Sequence, residues 1–385
     1  MEIIILLSSI FAVALIVIFF RKNRGTAFQK DGERFHGPPR KSNENKPKEI
    51  IQKQAPFHDN SLNIIPSETH PDLKEINYFI LAEDIFPTTL QDLEEQDRAI
   101  IEKKVSVLPT MSTTSTKLLG LLRNPESNLN KITSLVSTNP VFSGKILQTV
   151  NSSYFNLPEK ITSIGRAITL LGYNNVRTIV FRETINNAVP KHLNMTTDLY
   201  MKTWMHSAVV STCAGYIGKT YFKFSEYDLA TIGLLHDIGK YFLAAQEGGL
   251  EIISDIPILI KEEHRYGINH AVAGYFIANK WKLSDVIVHG IEYHHYPSFF
   301  LPETIPKQYR RQCFTVCLAD LIAKILGYHG QDEQILPIKD EYFNMYGINN
   351  DIQGIITTDL VRNIEKSRLT VESYIDATQT EKVLR

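Results

Sequence analysis

The stretch Gly233-Leu234-Leu235-His236-Asp237-Ile238-Gly239-Lys240 constrains this chain more than any other. It sets a His-Asp pair into an apolar run that reads as the middle of a helix, capped by Asp228 and ending near Ala244. Two titratable side chains buried there are costly unless they find a partner, shift their pKa values or meet a metal. Seven of the twelve histidines, His206, His236, His264, His270, His289, His294 and His295, fall within about ninety residues around the pair. The fold therefore has to bring several segments together on one polar centre.

The rest of the composition is ordinary. With 385 residues, 43% hydrophobic and 22% charged, the chain has material for one large domain or two modest ones plus extensions. A formal net charge of −1 gives no reason to expect DNA binding by the whole chain. Cys213, Cys313 and Cys317 are an odd number and lie in apolar, helix-like runs, so they read as reduced core residues.

The N-terminus differs in kind. Residues 3–20 carry no charge and are rich in Ile, Leu, Val and Phe, near the minimum for a membrane-spanning helix. A cleaved signal peptide is the competing reading, but Glu2 replaces the usual basic start and Phe19-Phe20-Arg21-Lys22 offers no small-x-small cleavage site. Residues 1–21 are thus expected to be an uncleaved anchor. Arg21, Lys22 and Arg24 would place everything downstream in the cytoplasm, making a single-pass protein of the inner, cytoplasmic membrane. Residues 22–70 follow as a basic, disordered linker, with ten Lys/Arg against four Asp/Glu between positions 21 and 53. A solvated tether is preferred there over a segment hugging anionic headgroups.

Residues 71–105 read as a helical pre-segment in two pieces, 72–85 and 89–104, split by Phe86-Pro87 and packing on the domain or touching a partner. The main domain is expected over 106–330. Its first half is a series of short helices with clear stops: 116–123, 130–137, 140 to about 150, 164–171 and 174–187. Pro140 suits a first helical turn, Ser163 an N-cap, and Gly172 a left-handed stop. Its second half adds helices over 197–219, 269–281, from Leu283-Ser284 through His294-His295, and 311–326. Residues 331–385 form a helical extension with a long amphipathic helix near 351–375. No segment alternates with period two between turn signals, so the fold class is all-α.

The chemistry sits in the second half. His206, His236, Asp237, His270, His294 or His295, and Asp320 fall on five expected helices, each on or beside an apolar face. Helix bundles build metal sites from inward side chains of facing helices. An imidazole-carboxylate set suits Fe, Mn, Zn or Mg better than a thiolate-preferring ion. A set of satisfied core residues is the plainer alternative. Lys240 falls near the same face, where it would contact a phosphate oxygen or simply be an exposed lysine; His264 and His289 read as structural or surface groups. There is no Gly-x-Ser-x-Gly, Walker-type loop or Cys-x-x-Cys, and the cysteines do not look activated.

With these residues in view, the chain resembles the HDOD family, a regulatory branch of the HD-domain superfamily, over about residues 108–323. The first half carries the likeness in Leu108-Pro109, Asn139-Pro140-Val141-Phe142, Asn151-Ser152 and the run from Ser163 through Ala167-Ile168 to Leu171-Gly172. The second half carries it in Trp204-Met205-His206, the 233–240 stretch, Glu263, Gly267, His270, Gly274 and Trp281, His294-His295 and Leu318-Ala319-Asp320. The resemblance implies an HD-like bundle with an N-terminal helical subdomain. It also implies that His206, His236, Asp237, His270, His294, His295 and Asp320 correspond in order to the superfamily's metal ligands.

The superfamily includes metal-dependent phosphohydrolases and cyclic-dinucleotide phosphodiesterases, whereas HDOD proteins are mostly regarded as signalling or scaffolding modules. The chain departs from the phosphodiesterase pattern in two places. Lys202 stands where a glutamate precedes the first histidine, and no Gly-Tyr-Pro follows His294-His295. A cation at that position would disfavour additional metals by charge repulsion. The expectation is a membrane-anchored HDOD regulator that works through signalling proteins, with a divalent metal, a cyclic dinucleotide or another nucleotide tuning its surface. An active phosphohydrolase is the alternative, and a purely structural polar network the third reading.

Overall fold

The computed structural model describes residues 86–123, 127–188, 197–223, 226–244, 257–330, 334–348 and 352–383. The expected anchor at 3–20, the linker at 22–70 and the first pre-helix at 72–85 lie outside the described residues. The expected single-pass membrane placement is not supported and is corrected here. No helix among the described residues is long and apolar enough to cross a membrane. The two longest, Thr197–Tyr221 and Thr358–Val383, show why: one carries Lys202 and Lys219, the other Asp359, Arg362, Glu365, Lys366, Arg368 and Glu372. Charges so spaced are costly to hold in hydrocarbon.

Described residues form helices and loops, with no strand among them, as the missing period-two patterns predict. A 3-10 turn at Leu90–Asp92 leads into α1 (Glu95–Ser106). Five short helices follow: α2 (Thr113–Leu122), α3 (Leu129–Ser137), α4 (Pro140–Val150), α5 (Ile164–Leu171) and α6 (Tyr173–Ala188). Their starts obey local chemistry. Ser112, Asn128, Asn139 and Ser163 accept from backbone amides of the first turns, and Pro140 sits in the first turn of α4. Gly172 ends α5 with positive φ but an extended ψ, so it stops the helix without the left-handed conformation expected of it. Leu118, Leu122, Ile132, Phe142, Ile168 and Val180 are among the residues that close these helices over one core.

The second group of helices begins with α7 (Thr197–Tyr221), which packs along α8 (Glu226–Leu235). It continues through α9 (Ile238–Ala244), α10 (Ile258–Tyr266), α11 (His270–Lys280), α12 (Asp285–Glu292), the short α13 (Tyr296–Phe299) and α14 (Arg310–Ile325). Asp228 does not cap α8 as expected; it lies within the first turn and pairs with Arg123 of the first group. All three cysteines are buried and free. After α15 (Asp340–Tyr346) and α16 (Ile352–Ile355), α17 (Thr358–Val383) packs against α4, α6 and α7. Its Val371 and Tyr374 complete the core of the first group.

One difference from the sequence reading bears on the site. The helix expected to run through His236 and Asp237 breaks there: α8 stops at Leu235, α9 starts at Ile238, and the pair occupies the turn between them. His294 and His295 likewise sit in the turn between α12 and α13 and not inside a helix. Turns give these side chains directions that a continuous helix would not.

Candidate metal centre

Close backbone approaches place the ligands. A Cβ on Gly233 would lie 2.9 Å from the carbonyl oxygen of Val210, so α8 can settle against α7 only with glycine there. A Cβ on Gly239 would fall 1.9 Å from the carbonyl oxygen of His270, inside any allowed contact. That glycine lets α9 rest on the start of α11 and sets Asp237 beside His270. Asn269 caps α11 through the amide of Val272, which fixes the first turn carrying His270.

All seven expected ligands come together, each no more than 5% exposed. His206 Nε2 lies 3.3 Å from His236 Nε2, 3.1 Å from Asp320 Oδ1 and 3.6 Å from Asp237 Oδ2. On the other side, His270 Nε2 lies 3.4 Å from His294 Nε2, 3.0 Å from His295 Nε2 and 3.3 Å from Asp237 Oδ1. Two triads result, His206-His236-Asp237 and His270-His294-His295, each with the spacing of a metal-binding group. Asp237 faces both, with Oδ2 toward the first and Oδ1 toward the second.

The partners of the opposite ring nitrogens assign the tautomers. His206 Nδ1–H donates to the carbonyl of Tyr328 at 2.7 Å, His236 Nδ1–H to Gly233 at 2.7 Å, and His294 Nδ1–H to Ile291 at 2.6 Å. His270 Nδ1 lies 2.7 Å from Glu262 Oε2, which accepts from the His270 amide; burial raises the Glu262 pKa to about 8, so this carboxyl can donate to the ring as well as accept from it. A carbonyl cannot donate, so Nδ1 carries the proton in His206, His236 and His294, and their Nε2 atoms present lone pairs to the cluster. Burial lowers the pKa values of His206, His270, His294 and His295, which favours these neutral rings.

The carboxylates complete the set. Burial opposes ionisation of Asp237 and Asp320. With the histidines neutral, the ammonium groups of Lys240 beside Asp237 and Lys324 beside Asp320 oppose that and favour carboxylates held below their usual range. Lys240 Nζ donates to Asp237 Oδ2 at 2.9 Å, and Lys324 Nζ donates to Asp320 Oδ2 at 2.7 Å. In both aspartates Oδ1 is buried and makes no hydrogen bond. His206 Nε2, with its lone pair, lies 3.1 Å from Asp320 Oδ1, and His270 Nε2 lies 3.3 Å from Asp237 Oδ1, both carboxylate oxygens without a hydrogen bond. That arrangement repels itself unless a cation sits among the atoms, and anchored Nδ1 groups are the usual support of metal-binding histidines. The donor set fits a divalent metal.

Sequence reasoning missed Glu262, Lys324 and the Tyr328 carbonyl. Lys324 left a signal, lying one turn after Asp320 on the same helix face; Glu262 left none beyond a charge in the mixed 258–266 run. Lys240 is buried and turned onto Asp237. Lys202 is exposed, so solvent screens the charge expected to repel metals. His264 is exposed, and His289 packs on Tyr309 and bonds Glu292, both outside the cluster.

With this geometry in hand, comparison with known proteins decides the family. The HDOD domain model matches residues 108–297. This segment is an HDOD domain. Asp320 and Lys324 lie beyond the match, so the centre is finished by a helix outside it. A protein of Geobacter sulfurreducens described as an HDOD domain protein of unknown function is 21% identical, with a TM-score of 0.53 over 73% of this chain and 99% of that one. A protein of Marinobacter aquaeolei VT8, provisionally named a signal transduction protein, is 14% identical, with a TM-score of 0.55 over 78% of this chain and 64% of that one. A protein of Shewanella amazonensis SB2B, provisionally named a phosphohydrolase, is 20% identical, with a TM-score of 0.51 over 71% and 97%. At such identities the HDOD likeness is one of fold. An uncharacterized protein of Treponema pallidum (strain Nichols) is 22% identical over 245 residues, 62% of this chain but 46% of that protein, so the match spans under half of that relative.

Proposed function

We propose that this HDOD protein is a signalling regulator that acts through protein partners, with a divalent metal held at the cluster as a structural and tuning element. The observation that carries this reading is the burial of all seven candidate ligands to 5% exposure or less. Ligands so buried leave little room for a substrate to reach them among the described residues. Both aspartates also have one oxygen committed to a buried lysine, so part of the charge a metal would balance is already balanced by the chain. His206, His236, Asp237 and Asp320 would hold the ion on one side, and Asp237, His270, His294 and His295 on the other. Fe, Mn, Zn and Mg all suit the donor set. The ligands come from α7, the α8–α9 turn, α11, the α12–α13 turn and α14, so their spacing sets how these helices present their outer faces.

An active metal-dependent phosphohydrolase is the second reading, and the two triads with Asp237 facing both favour it. A metal bound there would polarise a phosphoryl oxygen and make a bound water a better nucleophile. Lys240 would have to leave Asp237 to meet a phosphate. Metal analysis of the purified chain, followed by assay on a cyclic dinucleotide with Mn or Fe, tests both readings. The regulatory reading expects bound metal without turnover. Turnover abolished by Asp237→Ala would overturn it.

A further inference from the structure

Residues 86–90 run beside His295 of the second triad, and Thr88 and Phe86 tie them to the domain. The Thr88 amide donates to Glu263 Oε1 at 2.6 Å, while Asn269 Nδ2 donates to the Thr88 carbonyl at 2.8 Å and to the same Glu263 oxygen at 2.8 Å. The Phe86 ring stacks on Phe300 with centroids 5.5 Å apart, yet stays 46% exposed. The downstream end is anchored to α1: Arg98 donates to the carbonyls of Leu90 and Leu93, and α1 packs on α11. Beneath the segment lies a cavity of about 10 Å³ with a mixed, largely apolar lining, in which Leu259, Ala271 and Val272 stand beside Asn269, Glu292 and His295. That is about the room of one water. Glu292 is buried, and its Oε1 makes no hydrogen bond.

We propose that residues 86–90 are a strap closing a small antechamber to His295, and that its release opens the cluster to a small ligand. Asn269 joins the two, because the side chain holding the strap also caps the helix that starts with His270. Release has to lift the buried Pro87 together with the Thr88 hydrogen bonds and the Phe86 ring, with α1 as the fixed end. With the strap lifted, Glu292, Tyr296 and Asn269 line an entrance leading to His295. The antechamber suits a metal ion on its way to the cluster, or a small polar group of a ligand seated there.

The proposal rests on reading the cluster as a ligand centre, and its test separates the two. Histidine modification by diethyl pyrocarbonate is followed by mass spectrometry in the full chain with chelator present. Phe86→Ala and Glu263→Ala are each expected to speed modification of His295 about tenfold, the effect of losing about one hydrogen bond's worth of closing free energy. Modification of His206, on the far side of the cluster, stays unchanged. Unchanged His295 rates in both variants would overturn the strap. So would His295 and His206 rising together, which reports general loosening, or a wild-type His295 as reactive as exposed His264. In a second arm, zinc ions alone are added and uptake is timed. Strap variants that bind the same amount of zinc as wild type, but faster, support the proposal. If no form binds zinc while His295 still becomes reactive, the strap stands and the metal reading falls.

Discussion

Removing the ammonium of Lys324 exposes what holds the cluster together at the scale of single residues. Lys324→Met would leave the Asp320 carboxylate buried beside His206 with neither oxygen neutralised. Breaking a buried pair from one side costs about 3–5 kcal/mol, so the variant should lose that much stability in urea with chelator present. Added metal should restore part of the loss and bind more tightly than to wild type, because it meets an uncompensated carboxylate. A loss of the same size with and without metal would mean that Lys324 acts on the fold alone. His236→Ala and Asp237→Asn are expected to weaken metal binding at least tenfold, read by competition with a chromophoric chelator. Asn151 offers a control away from the centre: its side chain both donates to and accepts from the backbone of Ile161, and Asn151→Ala should lower stability without touching metal affinity.

At the scale of elements, the fold depends on a few caps and one close crossing. The Asn139 side chain accepts from the amides of Val141 and Phe142, so Asn139→Ala should cost about 1 kcal/mol in a urea titration. Gly239→Ala should cost more, about 3 kcal/mol or above, because the obstacle is the backbone of His270 and not a side chain that can turn away. These same elements show what could be read from the sequence. Asn139-Pro140, Ser163 and Asn269 announce helix starts because capping is a local contact between neighbours in sequence. The breaks at His236-Asp237 and His294-His295 give no such signal. Leucine and isoleucine favour helix on both sides of the first break, and only the converging ligands make a turn worthwhile. The ligand series was legible because His and Asp in apolar runs demand partners. Lys324 left only the i,i+4 spacing to Asp320 as a signal, and its burial did not show, since lysine is usually exposed.

Over the whole molecule, a bound metal should act as a tie across the second group of helices. At a hundredfold excess over its dissociation constant it adds about 2.7 kcal/mol to stability. Calorimetry with and without chelator should show that difference, and His236→Ala should erase it. The first group needs no such tie, because its core is apolar, yet it is not closed by its own segment. The Tyr374 hydroxyl of α17 donates to Glu183 of α6 across 191 residues of chain, the Tyr374 ring packs edge-on against Trp204, and Val371 fills the same core. On a ribosome, α2–α6 therefore emerge before α17, whose Val371 and Tyr374 their core still lacks after Trp204 and Ala208 of α7 have joined it. At ordinary elongation rates α17 follows on the order of 10–40 s later. During that interval the nascent chain carries an uncovered apolar groove and depends on chaperones, so slowing translation between α6 and α17 would lengthen the wait and lower the yield of native protein.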